Sequence, residues 1–250
     1  MSCEMTLGPG APVGAPDIAR LIAELEESAV ATNEAAARER WSMQYQEGWQ
    51  WIERFIMQAH PDLGRKGAVC PFARPSHNVG GMYFSSLDAT GLSFESFIQV
   101  LLQLPDAFKR LSAQSGASPD LFSLTIFIEG LDSEQHYQFI DLAHAVTKPL
   151  FMNAGLMLGE FRPHSPVPGV HSDRFRPMQA PLPCFVIRAI AVHDKLFFSQ
   201  EGSVTRAHEI ACYLNWVGHK LPEAEYQRFY ELLGTARSRR GDAVLEMQEG

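Results

Sequence analysis

Residues 184–192 read CFVIRAIAV, the most apolar run in the chain. Its neighbours are apolar on both alternating faces, so the strand it predicts is buried on both sides. A chain built on such a strand must supply covering layers to both faces of a sheet. One residue interrupts the run, Arg188. A guanidinium cannot shed its charge in that setting, so it needs an anionic partner. Two carboxylates near predicted strand ends, Glu129 and Glu160, are internal candidates. A ligand carboxylate or a haem propionate is the functional alternative.

The rest of the chain supplies the layers. Residues 80–87 (GGMYFSSL), 121–130 (LFSLTIFIEG) and 156–161 (LMLGEF) read as further strands, rich in β-branched and aromatic residues. Helical spacing runs through 18–41 with Asp17 as its cap, and through 45–60, stopping before Pro61. Ser93 caps a helix over 93–114, with a break or kink expected at Pro105. Residues 132–155, capped by Asp132 or Ser133, 204–220 and 223–238 complete the set. The order predicts an α+β fold: one layered domain with a mostly antiparallel sheet covered by helices and an antiparallel pair at the end. A ferredoxin-like core is one solution. Residues 1–16, rich in Gly and Pro, are expected to be mobile, 17–240 to form the domain, and 241–250 to be a polar tail.

With 250 residues, one core is feasible. A net charge of −8 argues against a nucleic-acid partner, which would need a basic face. No stretch approaches 18 apolar residues, so no transmembrane helix is expected. The four cysteines, at 3, 70, 184 and 212, contain no C-x-x-C pair. The expectation is a cytoplasmic, reduced protein with a small-molecule substrate and no membrane partner; a homodimer is compatible with the chain.

Two irregular stretches carry the chemistry. Residues 162–183 hold six prolines in 22 residues, together with Phe161 beside them, Val167, Val170, Phe175, Met178, His164 and His171. Structureless loops of this length are uncommon in compact domains. A proline-stiffened loop bearing aromatics and histidines suits a cofactor or substrate pocket, and equally a cover over one sheet face. His171-Ser172-Asp173 also admits a non-haem iron reading, with a distant second histidine. The second stretch, GAVCPFARPSHN, sets Cys70 against Pro71 and Phe72 with His77 following. Cys70 reads as a haem thiolate, a nucleophile, or a small buried group between Val69 and Phe72. Arg206-Ala207-His208-Glu209 reads as helix surface.

The segments HPDLGRKGAVCPF, LGEFRP, PGVHSDRFRP and LPCFVIRAIAVHDKLFF together resemble a bacterial family known as a domain of unknown function, whose members lie largely in specialised-metabolite gene clusters. The resemblance covers roughly residues 50–230 and rests on Cys70, Pro71, Phe72, His171, Phe175, Arg176, Pro177, Arg188, Asp194 and Phe197. The chain departs from the pattern at Ser172, where the family has Asn, and at Ala189-Ile190, where it has His-Met. The family in turn looks similar to small haem proteins that N-hydroxylate an amino acid, notably arginine. What the resemblance implies is a haem-dependent oxygenase or peroxygenase acting on an amino acid or similar small polar metabolite. His171 is then the first choice of iron ligand and Cys70 the second, because a neutral imidazole needs no compensating charge and a buried thiolate does. Arg188 pairs with a propionate or a substrate carboxylate, Glu160 holds a cationic substrate, and Arg176 and His164 line the cofactor. The alternatives are a non-catalytic small-ligand-binding or accessory protein, and a non-haem iron enzyme using His171 and Asp173.

Overall fold

A computed structural model describes residues 16–34, 38–39, 41–198 and 205–248, with side chains to residue 238. The expectation of a mobile segment over 1–16 therefore lies, save its last residue, outside the described residues. The fold is α+β, with one five-stranded mixed sheet. In chain order the elements are α1 (Ile18–Glu27), β1 (Val30–Ala31), α2 (Met43–Trp51), α3 (Ala73–Asn78), β2 (Met82–Asp88), α4 (Phe94–Ser115), β3 (Ser123–Glu129), α5 (Ala143–Asn153), β4 (Leu156–Phe161), β5 (Cys184–Ala189), α6 (Lys195–Phe198), α7 (Arg206–Val217) and α8 (Glu223–Gln248). π-Helical turns extend α2 over Ile52–Ile56 and lead into α5 over Tyr137–Leu142.

The helix expected over 18–41 stops at Glu27. Asp17 does cap it, accepting from Arg20 N at 3.1 Å. Ser28 then bonds Leu25 O and the Ser85 hydroxyl, and Val30–Ala31 pair with β2 as a short edge strand. A local side-chain bond and a strand partner outweigh the helical periodicity here. The second helix ends at Ile56, short of its expected end. Pro105 does not break α4, which runs unbroken from its Ser93 cap. The strand expected over 184–192 ends at Ala189, where a 3-10 turn follows over Val192–Asp194.

The strand order is β1-β2-β3-β5-β4. β2 and β3 are parallel, with α4 as the crossover; the other three pairings are antiparallel. β5 returns through the long loop and inserts between β3 and β4. This order is not ferredoxin-like, since β2 and β3 are direct parallel neighbours. Insertion of β5 pairs both its edges, while Phe185 and Ile187 are buried under the helices of one face and Val186 and Arg188 of the other face are half-buried.

One face of the sheet carries Leu124, Ile126, Leu158, Phe185 and Ile187 against Leu25 of α1, Phe97 and Leu104 of α4 and Phe151 of α5. The opposite face carries Met82, Phe84, Phe127 and Cys184 against Tyr45 and Trp49 of α2, with Ile52 and Ile56 in the turn that follows. A Cβ at Gly48 would sit 2.2 Å from the Phe127 ring, so a side chain there would force α2 off the sheet. The third cluster joins Met157 and Ile190 to Ile210 and Tyr213 of α7 and Phe229 of α8. On the α2 face, Gly159, Val186 and Arg188 are only half-buried. That strip positions the site.

Candidate functional site

Arg188 lies on the α2 face near the end of β5, opposite Ser123 and Met157. Its anionic partner is neither Glu129 nor Glu160. Nη1 donates to Asp194 Oδ2 at 2.8 Å and Nη2 to Oδ1 at 2.5 Å, a bidentate pair. Asp194 is 1% exposed, and its Oδ2 also accepts from Ala191 N at 2.8 Å. The same carboxylate thus closes the turn after β5 and holds the guanidinium, whose affinity for its proton rises on pairing with Asp194 although burial opposes it. Glu129 sits at the far end of β3, and Glu160 faces the other side of the sheet, toward α5.

The Cys-Pro-Phe turn lies over this pair. Cys70 N donates to Ile56 O at 2.9 Å, which ties the turn to the end of the π-helical extension of α2. The Phe72 ring covers the Arg188 guanidinium at 4.6 Å, a cation–π contact, and meets His193 edge-on at 5.8 Å. Phe72 is half-buried on Arg188 rather than fully in the core. Cys70 is half-buried against the α2 core and lies within electrostatic reach of Arg188. Three segments far apart in sequence therefore meet at one corner: Cys70–Phe72, Arg188 and His193–Asp194. The Arg188–Asp194 pairing was not anticipated from the residues; an aspartate six places beyond a buried arginine, at a turn, was the available signal.

The loop is anchored elsewhere. Phe175 is buried and packs on Phe55 and His60, at 5.8 and 4.7 Å. Trp51 Nε1 donates to Gln179 O at 3.1 Å, and Arg162 forms an ion pair with Asp141 at 2.6 Å. His171 and Asp173 are exposed. The main chain of His171 rests on Gly64, where a Cβ would meet His171 O at 2.7 Å. His164 is exposed with a left-handed φ of 57°. Arg176 turns inward on its own loop, donating to Asp173 O and, at 3.2 Å, to Phe175 O. No hydrogen bond joins Cys70 to His171. The segment 57–72 links the two regions, touching the loop at His60 and Gly64 and Arg188 at Phe72.

Glu160 is spoken for by a residue the sequence reading missed. His144 Nε2 lies 3.3 Å from Glu160 Oε2 and 3.0 Å from Leu158 O. Burial pushes His144 below the usual histidine range, against the pull of Glu160. Glu209, expected on a helix surface, is buried and paired with Lys148 at 2.9 Å and Arg206 at 3.0 Å. Periodicity places Glu209 on α7 but cannot show that α5 packs on that side.

Among the described residues, no group of three or more His, Cys, Asp or Glu side chains is placed to hold a metal ion. A facial triad on His171 and Asp173 does not fit this arrangement. His171 is exposed on the loop, and Cys70 is half-buried in the turn whose Phe72 ring covers Arg188. No helix among the described residues is long and apolar enough to cross a membrane.

No curated protein and no solved structure matches the chain. A family model for a domain of unknown function, DUF6875, matches residues 45–228, which take in the Cys-Pro-Phe turn, the long loop and the Arg188–Asp194 pair. The chain belongs to the DUF6875 family.

Proposed function

We propose that the corner formed by Cys70, Phe72 and Arg188 is the working site, and that the protein is a haem-dependent oxidoreductase acting there on an amino acid or similar small polar metabolite in bacterial natural-product biosynthesis. Cys70 takes the role of iron ligand in place of His171. The observation that carries the reading is the Cys-Pro-Phe turn set over Arg188, which Asp194 holds and the Phe72 ring covers. A partly buried thiolate needs a compensating charge, and with Arg188 paired to Asp194 that charge would come from the iron it binds. Haem bound at this corner would supply oxygen or peroxide activation. Asp194 fixes the direction of the guanidinium, and Phe72 keeps water from its face. The exposed imidazole of His193 stands at the rim, where it meets solvent and substrate first.

A second reading is favoured by the same pair. Asp194 already neutralises Arg188, as it would in a binding or accessory protein that needs a rigid corner and no redox group. The absorption spectrum of purified protein, before and after addition of haem, separates the two. A Soret band distinct from free haem, perturbed by a small amino acid, supports the oxidoreductase. Free-haem absorption throughout, with saturable binding of a small metabolite, supports the binding protein.

A further inference from the structure

A cleft of about 330 Å³ opens at the opposite end of the sheet, lined by Ser28, Val30, Trp41, Ser42, Tyr45, Ser86 and Glu129. Glu129 ends β3 on the α2 face. It is half-buried and has no ion-pair partner among the described residues. It is not consumed as a helix cap either, since Ser42 Oγ already accepts from Tyr45 N at 3.3 Å. Its charge reaches Tyr45, whose phenol is pushed up by burial first and by Glu129 in part. The Tyr45 hydroxyl donates to Ser28 O at 3.1 Å, which leaves its oxygen as an acceptor. Trp41 is 7% exposed, and its Nε1–H is buried without a hydrogen-bond partner. The cleft therefore combines a carboxylate lacking a cation, hydroxyl groups and an aromatic wall, with the Trp41 N–H sealed behind it.

We propose that this cleft binds a small primary ammonium ion that also carries a neutral oxygen, the amino-alcohol class. The ammonium group donates to Glu129 and to the serine and tyrosine oxygens, with charge-assisted geometry on the carboxylate. The indole ring of Trp41, with the Arg38 guanidinium 5.7 Å from its centroid, forms the aromatic wall and does not supply the cation site. The oxygen of the ligand bonds the Ser42 or Ser86 hydroxyl at the cleft wall. The site is separate from the Cys70 corner and does not rest on the reading given for that corner.

The test is a titration of the whole chain with 2-aminoethanol, using ethylene glycol and glycolate as neutral and anionic controls. The readout is the Trp41 indole N–H resonance, assigned with Trp41→Phe. A saturable shift with 2-aminoethanol alone is expected, weakened more than about tenfold in Glu129→Gln, a loss of one charge-assisted contact. The Soret band should be the same in Glu129→Gln as in the unaltered chain. If Glu129→Gln fails to fold, Ser86→Ala retains the charge and should still weaken binding. No saturable shift into the tens of millimolar, an equal response to glycolate, or binding indifferent to these substitutions would overturn the proposal.

Discussion

Arg188 and Asp194 form the tightest constraint at the scale of single residues. Removing Arg188 leaves a buried carboxylate without its counter-ion. Arg188→Met should therefore cost about 3–5 kcal/mol in urea denaturation, while Arg188→Met with Asp194→Leu should recover much of that loss. Unchanged stability in the single variant would contradict a structural pair. The need for a partner was legible, because an arginine in an apolar strand has few other options. The partner's identity was not, because it depends on how the chain turns after Ala189. Glu129 and Glu160 were near strand ends in sequence, but one lies at the far end of β3 and the other behind the sheet. Cys70 is legible as a candidate from its Cys-Pro-Phe setting; that its turn packs over Arg188 is not, because the two lie far apart in sequence.

Among the elements, the segment 57–72 does the connecting. It runs from the end of α2, past the long loop, to the Arg188 corner. Gly64 takes a φ of 75° and lies under the main chain of His171. Gly64→Ala should cost about 1–3 kcal/mol through left-handed strain, with added crowding against His171. Faster proteolysis within 162–183 would report it, and wild-type cleavage would count against the contact. Strands and helices were largely legible because period and caps are local signals. The loop was recognised by its prolines, and it contains no helix. What local signals do not carry is which strands pair: β5 fits between β3 and β4 only once both crossover helices are in place. The short β1 was missed because two residues give no period.

At the scale of the whole molecule, three histidines bear on stability. His77, His136 and His144 are each pushed below the usual value, burial being the first cause in every case. The unfolded chain then takes up these protons at higher pH than the folded one. Their contribution is present above about pH 6.5 and is lost as pH falls through that value toward the depressed ones. Denaturation midpoints should fall between pH 7.5 and 5.5, and His144→Gln should flatten the decline. A midpoint that rises on acidification would contradict the burial of these rings. The central claim concerns the corner where the Cys-Pro-Phe turn, β5 and the turn after it meet. Its most direct test is the absorption spectrum of haem-loaded wild type, Cys70→Ala and His171→Ala. The account predicts that His171→Ala keeps the wild-type Soret band and Cys70→Ala loses it. A Cys70→Ala spectrum identical to wild type, or loss of the band in His171→Ala alone, would contradict it.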